Sequence, residues 1–234
     1  MREKANGPPE LLMVERSKAM AFAGGALVFP GGRIDDGDRA LTSDYPGEHS
    51  AGAIAAIRET LEETAIAVGI SPIPSAELCR ELQGALLAGT DFGDLLRKHK
   101  LELQIEALTP FARWVPKFHA VRRFDTLFLV ARALETAEPH VSRGECAGAL
   151  WISAADALER ERQGEARLIF PTRRNLERLA LHDSWDSIEA DALAHPVEPI
   201  TPWAETISGE EHILIPEGLG YPVTREKLDG LWRG

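Results

Sequence analysis

The stretch Arg58-Glu59-Thr60-Leu61-Glu62-Glu63 most constrains what this chain can fold into. It lies in an alanine-rich segment, residues 51–67, where Ile54, Ile57, Leu61 and Thr64 recur near the 3.6-residue period of an amphipathic helix. Ser50 is expected to cap its first turn. Positions i, i+3 and i+4 share a helix face, so Glu59, Glu62 and Glu63 should converge. Three carboxylates that close repel one another unless a cation sits among them. Hard oxygen donors of this kind suit magnesium or manganese, and the bland alternative is a solvated acidic face. The surroundings favour the cation. Upstream, an apolar run ends in Phe29-Pro30-Gly31-Gly32, and an acidic turn, Asp35-Asp36-Gly37-Asp38, follows. A glycine pair at a strand end lets the backbone approach a ligand closely and leaves a carbonyl free as a further hard oxygen.

Around this helix, residues 11–14 and 26–29 read as strands, and residues 39–50 as a polar loop with turn chemistry at Tyr45-Pro46-Gly47. Residues 71–100 read as one or two helices with apolar faces at Leu82, Leu86, Leu87, Leu95 and Leu96. Strands are expected at 106–115, 125–133 and 148–152, then a helix over 154–162 introduced by Ser153. A helix entered from Pro171 should cover 172–181, with 185–194 as its extension. A strand pair is expected around Ser208-Gly209-Glu210 in the tail, with Ile213-Leu214-Ile215 in the second strand. The mixture of elements indicates an α/β (α+β) sandwich, a mixed sheet between helices.

Composition narrows the partners. The chain carries 26 basic and 37 acidic residues, a formal charge of -11, which argues against nucleic-acid and anionic-membrane surfaces. An acidic protein can still take an anionic substrate where a divalent cation stands between them. Cys79 and Cys146 form no CxxC, so a disulfide framework and a cysteine zinc site are disfavoured, and a reducing cytoplasm fits. The longest apolar stretch, residues 19–29, is too short to cross a bilayer, and the first nine residues lack a secretory leader's apolar core. His119 has no second histidine at ligand spacing, and no Ser or Cys sits in a recognisable triad context.

The residues 32–66 resemble the box of the Nudix hydrolases, G-x5-E-x7-R-E-U-x-E-E-x-G-U. Gly32 opens it, Asp38 stands at the first glutamate, and Arg58 to Ile66 supply the remainder. Asp38 is one methylene short, the spacer is lengthened to residues 39–57, and Ala65 replaces a glycine, which alters how the helix exits. The resemblance implies metal ligation by Glu59 and Glu63, with Glu62 as ligand or support, and a structural Arg58 that holds a glutamate in place. It also implies a role for Glu145, six residues before Trp151, as a further ligand or as the base that deprotonates water; an exposed loop acid is the alternative.

A finer resemblance is to the interrupted-box branch typified by the peroxisomal coenzyme A diphosphatase. It rests on Arg16-Ser17, Phe22, Gly25, Phe29 to Gly32, Trp114, Arg122-Arg123-Phe124-Asp125-Thr126, Pro171-Thr172 and Gly220-Tyr221-Pro222. Arg16, Gly32, Arg122 and Arg123 are the candidate substrate contacts, two arginines at a strand start being suited to a phosphate or diphosphate. Phe22 and Trp114 are candidates either to stack on a base or to fill the core. What this implies is a Nudix α/β/α sandwich occupying residues 1–234 as one domain, with the box at 32–66 and a loop insertion at 39–50. A helical insertion at about 71–100 and a C-terminal extension at about 196–222 complete it, and both are candidates either for a homodimer contact or for cover of the sheet. The implied activity is Mg2+- or Mn2+-dependent cleavage of coenzyme A or acyl-coenzyme A, small molecules rather than nucleic acid or membrane. The alternatives are an ADP-ribose or NADH diphosphatase, and a non-catalytic nucleotide-sensing module.

Overall fold

The computed structural model describes residues 1–17, 23–116, 125–142 and 146–228. Its first strand, β1 (Glu10–Arg16), pairs antiparallel with β2 (Leu27–Val28) on one side and β7 (Cys146–Ser153) on the other. A second three-stranded sheet joins β5 (Leu108–Trp114) to β6 (Thr126–Ala131), antiparallel, and to β8 (Pro199–Ile200), parallel. The expected single mixed sheet is therefore divided; the tail strand β8 supplies a parallel pairing, and an isolated parallel bridge joins Ala26 to Arg167. Short β3 (Ile70–Ser71) and β4 (Glu102–Leu103) pair with each other.

Helices cover the strands on both faces. On one face, α5 (Ala154–Arg162), α6 (Phe170–Leu179) and α7 (Trp185–Ala194) share a core with Leu11, Met13, Phe111 and Ile152. The other core is built by α2 (Ser50–Thr64), α3 (Ala76–Leu87) and α4 (Phe92–His99). Strand β1 shows why both are needed. Leu11 and Met13 enter the first core, while Leu12 packs on Ile66 and Val68, and Val14 on Ala26 and Cys146. Apolar side chains on both faces of a strand require cover on both faces.

Several elements depart from expectation. Part of the supposed 39–50 loop is helical: α1 (Asp36–Leu41) starts in a reciprocal cap in which Asp35 accepts from the Asp38 amide and Asp38 from the Asp35 amide. Ser50 does not cap α2; it is the first helical residue, and its hydroxyl donates to the Gly47 carbonyl at 2.8 Å. Residues 185–194 do not extend α6 but form α7 with their own cap at Ser184, closed reciprocally with Ser187. Trp114 is fully buried and donates to the Tyr221 hydroxyl at 3.1 Å, so it fills the core instead of stacking on a base. The tail hairpin of β9 (Trp203–Ile207) and β10 (Glu210–Leu214) turns at Ser208 and Gly209, both at positive φ, and β11 (Arg225–Lys227) adds a third strand. No helix of the described residues is long and apolar enough to cross a membrane.

Candidate active site

Helix α2 presents one apolar and one acidic face. Ile54, Ile57 and Leu61 are fully buried, and anchoring them sets the rotation that turns Glu59, Glu62 and Glu63 to the opposite side. Arg58 lies between the faces, buried, and all five of its N–H groups are used. Its Nε and Nη2 grip Asp38 through both carboxylate oxygens at 2.9 Å, and Nη2 also donates to the Arg33 carbonyl at 2.8 Å. Nη1 bridges Glu59 Oε1 at 3.0 Å and Glu62 Oε2 at 3.2 Å. Burial works against the charged guanidinium, but the Asp38 hydrogen bonds and the surrounding carboxylates Glu59, Asp38 and Asp35 outweigh it and raise its pKa.

The glycine turn lies against this acidic face. The Gly31 amide donates to Glu63 Oε2 at 3.0 Å, and a methyl group built on Gly32 would run into the Glu59 carboxylate. Gly32 is needed for that approach. Burial pushes the Glu63 carboxyl up to about 7; the Gly31 amide opposes this, and the charge of Glu59 adds to it. Glu59 is likewise raised, by burial first, with Arg58 opposing and Glu62 adding.

Strands β1 and β7 bring the remaining contacts. Arg16 pairs in register with Cys146 across the β-bulge after Glu15, and the Cys146 thiol points at Glu63 Oε1, 3.5 Å away. Arg16 is close enough to lower the proton affinity of Glu63, and its own buried Nε has no hydrogen-bond partner. Of the residues expected from sequence, Arg16, Gly32, Arg58, Glu59, Glu62 and Glu63 thus meet at one place. Glu145, Arg122 and Arg123 lie outside the described residues, as do Phe22 and His119.

The convergence of the three glutamates is partial. Glu59 and Glu62 share one guanidinium nitrogen, whereas Glu63 is turned to Gly31 and Cys146. Among the described residues, no three His, Cys, Asp or Glu side chains are gathered closely enough to hold an ion as they stand. The donor chemistry nevertheless fits a hard divalent cation. A carboxyl whose pKa is raised by burial and a neighbouring carboxylate is one that a positive charge would stabilise as its anion. A cavity of about 410 Å³ lies elsewhere, lined by Arg2, Arg132, Leu134 and Trp185 among others. Both of its arginines are already paired with acids.

Two contacts carried no sequence signal: Cys146 beside Glu63, and the buried Gln83 of α3, whose amide donates to the Glu62 carbonyl at 3.0 Å.

No protein-family model matches the chain. It is 27% identical to an acyl-coenzyme A diphosphatase of Gallus gallus, over 83% of this chain and 67% of that protein. Its fold is similar to the crystal structure of a Nudix hydrolase from Alicyclobacillus acidocaldarius, with a TM-score of 0.70 and 26% identity. That likeness covers 81% of this chain and 91% of the other. In sequence and in fold the chain is similar to Nudix hydrolases, with a resemblance to an acyl-coenzyme A diphosphatase among its relatives.

Proposed function

We propose that the chain is a divalent-cation-dependent diphosphatase that hydrolyses the diphosphate of a nucleoside diphosphate linked to another moiety, with coenzyme A or an acyl-coenzyme A as substrate. The observation that carries this is the glycine turn laid on the carboxylate face, with the Gly31 amide on Glu63 and no room for a side chain on Gly32 beside Glu59. Glu59 and Glu63, with Glu62 as ligand or support, would hold Mg2+ or Mn2+. Such an ion neutralises phosphate oxygens and lowers the pKa of bound water.

The chain's own groups set the stage for that chemistry. Arg58 fixes Glu59 and Glu62 by one oxygen each. The Gly31 amide and the Cys146 thiol orient Glu63. Arg16, beside Glu63 and with an unpartnered Nε, is placed to pair with a substrate phosphate. Arg122 and Arg123 are assigned to the substrate's phosphates, and Glu145 to the metal or to proton abstraction. Coenzyme A is favoured over ADP-ribose or NADH by the Arg16-Ser17, Gly25 and Phe29 to Gly32 spacing and by the acyl-coenzyme A diphosphatase relative. The cytoplasm is the proposed compartment, since two cysteines without a CxxC fit a reducing environment.

Incubation of the protein with Mg2+ or Mn2+ and coenzyme A, ADP-ribose or NADH, followed by phosphorus NMR, separates the substrates. An adenosine bisphosphate and a phosphopantetheine are expected from coenzyme A, and cleavage of ADP-ribose alone would overturn the assignment. Glu63→Gln should lower kcat by about a hundredfold or more, roughly 3 kcal/mol of transition-state stabilisation. Nucleotide binding without turnover under either metal would favour a sensing module.

A further inference from the structure

We propose that Gln83, on inserted helix α3, is a positioning residue that clamps the last turn of the carboxylate helix to residues 140–142. Gln83 is 1% exposed, and its carboxamide makes every hydrogen bond it can. Its Nε2 donates to the Glu62 carbonyl at 3.0 Å and to the His140 carbonyl at 2.8 Å. Its Oε1 stands 2.8 Å from His140 Nδ1 and 3.3 Å from the Ser142 hydroxyl. The amide orientation follows from these partners, because a flipped group would set its oxygen against two carbonyl oxygens. With Nε2 committed to carbonyls, Oε1 receives the two hydrogens, and His140 donates from Nδ1.

The clamp has a backbone counterpart. The His140 amide donates to the Thr64 carbonyl at 2.8 Å, so the segment is tied to α2 on both sides of Glu63, through Glu62 and through Thr64. Four residues beyond Ser142, the Cys146 thiol meets Glu63 itself. Helix α3 thus does more than cover the core with Leu82 and Leu86. It supplies the one side chain among the described residues that joins the main chain under Glu62 to the segment entering position 143. Loss of the clamp leaves the His140 amide on Thr64 to hold that segment to the last turn of α2 without the tie at Glu62, so the two can shift against each other, and small displacements at a reaction centre are costly in rate.

This inference rests on the function proposed above, and its test keeps the two separable. In the full-length protein, Gln83→Leu keeps the volume and removes all four bonds. His140→Ala removes one bond from an exposed residue without disturbing the core, and His140→Asn restores a donor near the Nδ1 position. Amide hydrogen exchange over residues 56–68 and 138–150 should quicken in Gln83→Leu and His140→Ala and recover in His140→Asn. With Mg2+ and coenzyme A, kcat should fall by about ten- to a hundredfold in Gln83→Leu, and less in His140→Ala, with KM held within about twofold. The His140→Asn variant should regain the rate. Unchanged exchange, or faster exchange with kcat intact, overturns the proposal. If the wild-type protein cleaves none of the nucleotides, the function fails separately, and Mn2+ affinity read by electron paramagnetic resonance decides the clamp. Weaker affinity in the first two variants, restored in His140→Asn, supports it, and equal affinity in all of them overturns it.

Discussion

Arg58 and Asp38 are the residues on which the candidate site's rigidity depends. Asp38 is fully buried, accepts the Arg58 fork with both oxygens and closes the cap of α1 with one of them. A carboxylate one methylene shorter than the resemblance led one to expect therefore still fills the role, because α1 brings its backbone to the guanidinium. Replacing Asp38 by Ala leaves a buried cation without its main partner, and should cost about 3–5 kcal/mol in urea unfolding. Arg58→Lys should recover little of the same stability, since an ammonium cannot reproduce a five-donor fork. The helical period made the Glu59, Glu62, Glu63 face legible, and the resemblance made Arg58 legible as a structural residue. That Arg58 also takes one oxygen from each of two candidate metal ligands was not, because helix periodicity says which side chains are neighbours and not which pair forms.

At the scale of elements, the end of α2 shows a local rule set aside. Ala65 occupies the C-terminal cap at φ 53°, ψ 27°, a left-handed conformation that costs an alanine about 1–2 kcal/mol relative to glycine. The chain accepts this: Ala65 is buried in the core of α2, α3 and α4, while Ile66 and Val68 beyond it pack in a small cluster with Leu12. Ala65→Gly should raise stability by about 0.5–1 kcal/mol, the relief of strain being offset in part by a more flexible unfolded chain. An unchanged or lower midpoint in urea would count against strain at this position. Elsewhere, the tail hairpin was readable from Ser208-Gly209 because a two-residue turn needs positive φ at both positions. Helix α1 was missed because its signal is a cap between two aspartates in a segment with little apolar period. The break between α6 and α7 was missed for the same reason: Ser184 and Ser187 cap each other within three residues.

Across the molecule, ion pairs fasten the tail to the helical layer. Arg174 pairs with Glu177 at 2.8 Å and with Glu226 of β11, while Arg173 bridges Glu161 of α5 and Glu226. Burial is the main cause that pushes Glu177 up to about 7 from an ordinary 4.5, with Arg174 opposing it and Glu226 adding to it. The native state then holds a proton on Glu177 that the unfolded chain has lost between those two values. This group's contribution therefore makes stability fall as pH rises from about 4.5 to about 7. Glu177→Gln should flatten that slope and add about 1–2 kcal/mol at neutral pH, as read from urea unfolding at a series of pH values. A slope unchanged by the substitution would remove Glu177 as its cause.

The sequence by itself determined what short-range periodicity and local chemistry can specify. It marked the carboxylate helix, the glycine turn before it, a strand at residues 11–14 and one or two helices between residues 71 and 100. Only the tertiary structure decided which groups meet: Arg58 with Asp38 across 20 positions, Gln83 with the Glu62 carbonyl across 21, and Cys146 with Glu63 across 83. Helical spacing fixes neighbours within a turn, but contacts at such separations depend on how two cores pack against the strands between them. The acidic excess of the whole chain likewise said little about the site, where burial and the guanidinium groups of Arg58 and Arg16 set the local balance of charge.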